Sequence, residues 1–215
     1  MKTTKTYATA TKTSSEIALF DELDVPRNVR SEIADTVGEF LVEKILENVS
    51  QQKSPISGQG KFKGLSKEYK KIKVADGRGS EANLELTGAM LDALEYKTTK
   101  SGIEIGVFGN EAPKADGHNN FSGKSSLPLR RFLPDEGESF KRQINSDVSR
   151  IIKDVLSENI DLEEEDLEEV QTRTQLREVL AAKFPGFTRA EIKETILRNA
   201  DLLDIFVKRG IEDWL

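Results

Sequence analysis

The chain has 215 residues, 36% of them hydrophobic and 33% charged, with a net charge of −6. That length admits one large domain or a domain with an appendage, and a core able to bury roughly 70% of the unfolded surface. Cysteine is absent, which excludes disulfides, thiolate metal sites and a cysteine nucleophile. No apolar run approaches the ~20 residues of a membrane span. The Thr/Ser-rich start, MKTTKTYATATKTSSEIALFDEL, lacks the apolar centre of a signal peptide, so a cytoplasmic site of synthesis is expected. Residues 1–25 read as a flexible N-terminal arm, with about the first 14 the most clearly so.

Residues 26–50 read as a long amphipathic helix, with Val29, Ile33, Val37, Leu41, Ile45 and Val49 recurring at i+4. Residues 51–82 hold one proline and five glycines and read as a long loop. Within it a short helix is expected over Ser66–Lys71, with Ser66 as N-cap. Residues 83–95 read as a second helix, with Gly88 inside it. The period then changes: Ile103, Ile105 and Val107 alternate, and two strands are expected around a tight turn at Ser101-Gly102. Residues 109–127 read as polar loop and LPLRRFLP as a short edge strand, because Pro128 donates no ladder hydrogen bond.

A third helix is expected over 137–157. The acidic stretch DLEEEDLEE (161–169) reads as the start of another, running to about Ala182. Thr188 and Glu191 have the spacing of a capping box, with Phe187 and Ile192 as its staple. A last helix is expected over about 201–213. Residues 157–215 carry 15 acidic and 8 basic side chains, a net −7, which leaves the preceding residues near +1. An anionic end on a near-neutral body argues against broad nucleic-acid binding.

No complete catalytic constellation stands out. His118 is the only histidine, and a zinc site or a triad needs partners this chain lacks. It reads as a loop or edge histidine making one hydrogen bond. Gly123-Lys124-Ser125 lacks the glycine a phosphate loop needs five places before the Gly-Lys pair, and Pro128 follows at once. Residues 61–73 hold six lysines with a phenylalanine and a tyrosine, a pattern that suits a nucleic-acid backbone or an acidic partner surface. The carboxylates of 161–169 supply such a surface, and pairing of the two blocks between subunits is the favoured reading. The same carboxylates are too uniformly solvated to form a catalytic pair.

The segments LSKEYKKIK (Leu65, Ser66, Tyr69, Lys73), ANLELTGAMLDAL (Leu84, Thr87, Gly88, Met90, Leu91), IEIGVFG and HNNFSG…LPLRRFLP (His118, Pro128, Arg130, Phe132, Leu133) follow one another behind a long N-terminal helix. In that order they resemble the phage virion morphogenesis family, the tail-completion and neck proteins of Mu-type and related tailed bacteriophages. The resemblance implies a non-enzymatic virion protein without cofactors, at the neck or head-proximal end of the tail. It implies an α+β fold, a small, mostly antiparallel sheet flanked by helices, over residues 26–157; the acidic helical extension over 158–215 reads as an addition about which the resemblance says nothing. The resemblance further implies a homo-oligomeric ring, six-fold in related tail terminators, that joins tail tube or sheath to the head–neck connector, with non-specific contact to DNA in the channel. The 118–134 stretch then reads as a connector returning the chain from sheet to helix, with Phe132 and Leu133 in the core. Candidate contacts to a neighbouring subunit are Lys63, Lys67, Tyr69, Lys70, Lys71, His118, Arg130, Arg131, Glu164 and Glu165. The loop at 51–82 and the N-terminal arm are expected to order on assembly, and the extension to form an outer collar or clamp.

Overall fold

The computed structural model describes residues 12–20, 25–84, 88–120 and 128–215. They belong to two units. One holds the chain up to Ala18 and Ala34–Val148; the other holds Leu19–Ile33 and Ser149–Leu215. The division differs from the expected boundary at 157/158: it falls inside two helices, α1 (Arg27–Ser50) and α5 (Arg142–Glu158).

The first unit is α+β. Its antiparallel sheet has the order β1-β3-β2, from β1 (Lys12–Ala18), β2 (Leu94–Thr98) and β3 (Gly102–Phe108). In the ladder Lys12 lies opposite Phe108 and Ala18 opposite Gly102, while Leu94 pairs with Val107 and Thr98 with Ile103. β1 corrects the expected arm: residues 12–18 are a sheet strand, and residues 1–11 lie outside the described ones. The sequence KTSSEIA hides the strand because two of its three inward positions, Thr13 and Ser15, are polar. Thr13 Oγ1 donates to Ala112 O at 2.9 Å and Ser15 Oγ to Pro134 O. Both hydroxyls are thus satisfied in the core, where an unpaired one would be costly.

Ile103, Ile105 and Val107 are fully buried on one sheet face, as their alternation predicts. Cross-strand pairing puts Tyr96 of β2 on that face beside Ile105. The Tyr96 ring lies against α1 at Gly38, where a Cβ would stand 2.4 Å from it. Within this unit α1 buries Ala34, Val37, Leu41, Ile45 and Val49, the i, i+3, i+4 stripe that its sequence specifies. The other sheet face is polar. There Lys12 pairs with Glu104 at 2.5 Å, and the Lys97 amine sits 3.5 Å from the Phe108 ring centre.

Residues 51–66 are held by their own hydrogen bonds: Ser54 N donates to Gly60 O at 3.0 Å and Phe62 N to Gln52 O at 2.7 Å. Next comes α2 (Lys67–Ala75), and Ser66 Oγ caps it by accepting from Tyr69 N at 3.2 Å. Of the expected helix over 83–95, the described residues form only α3 (Ala89–Asp92) before β2 begins at Leu94; residues 85–87 lie outside the described ones. Gly88 precedes that helix at φ 86°, a conformation closed to a helix interior and open to glycine. Residues 109–120 are not loop: a 3₁₀ turn (Gly109–Glu111) leads into α4 (Ala112–Asn119), with Pro113 in its first turn and Ala112, Ala115 and Asn119 buried.

The second unit has a separate core of Leu162, Leu167, Val170, Leu176, Leu180, Phe184, Ile192, Ile196, Leu202, Phe206 and Ile211. Around it lie α6 (Arg173–Lys183), α7 (Arg189–Arg198) and α8 (Ala200–Arg209). The acidic run is not helical beyond a 3₁₀ turn at Glu165–Leu167. Like charges three and four apart oppose a helix there, and α6 starts only at the Thr172 cap. The capping box at Thr188 and Glu191 is present as expected.

Candidate functional site

A cleft of about 340 Å³ opens in the first unit. Leu65, Tyr69 and Lys73 line it from α2 and the turn before it. Ala82, Leu84, Gly88 and Met90 line it from the following stretch. Pro113, Gly117 and His118 come from α4, and Arg130 from the returning segment. Stretches far apart in sequence thus meet at one place.

Lys73 is the only buried residue of α2, at 2% exposure. Its ammonium donates to Glu81 O at 2.8 Å and Asn83 Oδ1 at 2.7 Å. A buried ammonium needs such acceptors, and here they tie α2 to the stretch after it.

Arg130 is also buried. Its Nε donates to Lys63 O at 3.1 Å and its Nη2 to Gly64 O at 3.5 Å, which anchors the turn before α2. Burial lowers its pKa, and Tyr69 offsets part of that effect. Its backbone N donates to His118 O at 2.9 Å. Arg131 forms a fork with Glu138, Nη1 to Oε1 and Nη2 to Oε2, each at 2.7 Å, and also pairs with Asp135. The two arginines, expected to reach a neighbour's carboxylates or carbonyls, are engaged by their own chain. Their planar donors find nearby acceptors in the turn at 63–64 and the loop at 135–138.

His118 stands in the last turn of α4, a correction to its reading as a loop residue. Its Nδ1 is enclosed and has no hydrogen-bond partner among the described residues. Burial first, and then the Arg130 charge, push its pKa down to about 4. At neutral pH the ring is therefore uncharged.

Asn119 is the key residue that sequence reasoning missed. Its Oδ1 accepts from Phe132 N and Leu133 N, and its Nδ2 donates to Leu133 O, all at 2.9 Å. One amide side chain thereby replaces a neighbouring strand. This explains why LPLRRFLP is not an edge strand: its described part, 128–134, bonds to the end of α4 instead. Phe132 and Leu133 are buried, as expected of core anchors. The only signal in sequence was a pair of asparagines after His118, a residue type with both a donor and an acceptor. Gly123-Lys124-Ser125 and Thr87 lie outside the described residues.

The other candidate contacts are exposed. Lys63, Lys67, Lys70 and Lys71 face solvent, and Tyr69 is 37% exposed. Glu164 and Glu165 are exposed in the second unit. Among the described residues there is no group of three metal-ligating side chains, and no helix is long and apolar enough to cross a membrane. The chain matches no family model, no curated protein and no solved structure.

Proposed function

We propose that this chain is a structural protein of a tailed-phage virion, of the neck or tail-completion type. In this reading copies close into a ring, near six-fold, that completes the tail and joins it to the head. Its partners are itself, the tail tube or sheath and the head–neck connector. One observation supports the reading most. Residues from three of the four segments that carry the family resemblance line one cleft in one small α+β unit: Leu65, Tyr69 and Lys73, then Leu84, Gly88 and Met90, then His118 and Arg130. Residues that share a fold-forming contact explain why those types stand in that order.

The polar groups of this cleft serve architecture. The Lys73 and Arg130 donors meet backbone carbonyls of neighbouring segments, and the neutral His118 closes the end of α4. Such a unit offers neighbours a surface whose segments are tied together by these hydrogen bonds. Ring subunits make heterologous contacts that must close.

Light scattering and negative-stain imaging of the purified chain test the proposal, at low and at physiological salt. Closed rings that bind isolated tails are the expected result. Sequence-specific DNA binding by a strict monomer would overturn it. The second reading, a nucleic-acid-binding protein using residues 61–73, draws on the exposure of Lys67, Lys70 and Lys71. It expects affinity that falls steeply with salt, measured by anisotropy of a labelled duplex.

A further inference from the structure

The surface of α2 is unusual for a nine-residue helix. It buries a lysine and leaves Ile72 and Val74 more than half exposed, at 52% and 57%. Lys67, Lys70, Lys71 and Val74 follow the i, i+3, i+4, i+7 spacing of a single helix face. That face lies away from Lys73 and the cleft, and it consists of three cations around an exposed valine. None of the three lysines makes an ion pair with another described residue. Elsewhere lysines find carboxylates nearby, as Lys12, Lys114, Lys153 and Lys183 do. The one acid of α2, Glu68, sits in its first turn.

The chain also carries a surface of opposite character. Residues 161–169 present Glu163, Glu164, Glu165, Glu168 and Glu169 to solvent. Leu162 and Leu167 are buried in the second unit and fix the backbone that displays them. Asp166 is taken by Lys183 at 2.6 Å. The five glutamates make no ion pair within 4 Å among the described residues. The cations near them are already engaged: Lys208 pairs with Asp204 at 2.7 Å, and Arg209 donates to the carbonyls of Leu167 and Glu168.

We propose that the Lys67/Lys70/Lys71/Val74 face of α2 docks the 163–169 glutamates of a second copy of this chain. Charge complementarity selects that occupant over an apolar peptide, which would leave three cations facing nothing. The two surfaces belong to different parts of the chain, so the contact is heterologous and propagates from copy to copy. It rests on the ring reading in requiring that copies associate, and it adds which surfaces meet. Opposed exposed charges steer encounter and set register, and the contact weakens as salt shortens the Debye length from about 30 Å at 0.01 M to about 8 Å at 0.15 M.

The test uses the full chain and two charge reversals on exposed residues. K67E/K70E/K71E and E163K/E164K/E165K are each expected to weaken self-association about tenfold or more, and mixing the two variants to restore it. Far-ultraviolet circular dichroism checks that both fold. Carbodiimide coupling of a mixture of ¹⁵N-labelled and unlabelled chains is expected to give mixed-isotope links between residues 67–71 and 163–169. Links confined to a single isotope would overturn the proposal. Assembly indifferent to both reversals would overturn this contact and leave the ring reading standing. A wild-type chain that stays monomeric at every salt, alone and on isolated tails, would overturn both.

Discussion

Asn119 holds the 128–134 segment to the end of α4 through one side chain. Replacing it with alanine leaves Phe132 N, Leu133 N and Leu133 O without their partner in a buried place. Each unsatisfied group costs about 1–3 kcal/mol. Asn119→Ala is therefore expected to cost about 3 kcal/mol or more in urea unfolding, and to free the 128–134 segment for proteolysis. His118 makes a different prediction. Its pKa is about 4 in the folded chain, depressed by burial, against roughly 6.5 unfolded. The unfolded chain binds the extra proton, so the stability tied to neutral His118 is complete above pH 6.5. It is lost as pH falls from 6.5 toward 4. Melting of wild type and His118→Gln across that window should diverge, with the wild type losing on the order of 3 kcal/mol more. Glu191 adds its own loss lower down. The Lys153 amine and the Thr188 hydroxyl and amide hold its carboxyl at about 2, so its contribution fades below pH 4.5.

At the scale of elements, close packing and caps make two further predictions. Gly38 gives α1 its contact with the Tyr96 ring, and Gly38→Ala must displace that ring. A cost of about 1–3 kcal/mol is expected, and Tyr96→Ala in the same chain should absorb part of it. Thr188→Ala removes the capping box of α7 and should cost about 1 kcal/mol. Both are read from chemical denaturation. Elements whose own residues carry the pattern were legible in sequence. α1 showed its i+4 stripe, β3 its alternation, and α2 and α7 their capping residues. What escaped depends on distant partners. β1 has polar inward positions because Ala112 and Pro134 carbonyls await them. The 128–134 segment has a strand-like composition but meets a side chain where a strand would be. Lys73 read as one more surface lysine because its acceptors, Glu81 and Asn83, sit beyond a turn. The cleft was legible only as a set of segments, and their meeting place is a product of the fold.

At the scale of the whole molecule, the chain divides into two units, and one of them, the second, carries a core of its own. Phe206→Ala should cost about 3–5 kcal/mol there. Hydrogen exchange should register the loss first at residues 162–211, while the β1–β3–β2 ladder keeps its protection. The ladder itself bears on how the chain comes into being. β1 is synthesised first, yet its partner β3 begins at Gly102 and aligns Phe108 with Lys12. At the ~5–20 residues per second of translation, β1 spends roughly 5–20 s outside the ribosome with no strand to join. An apolar strand left open for that time would invite pairing with other nascent chains. Lys-Thr-Ser-Ser-Glu, the run that conceals β1 from pattern reading, offers no apolar face to such pairing before the β2–β3 hairpin emerges to receive it.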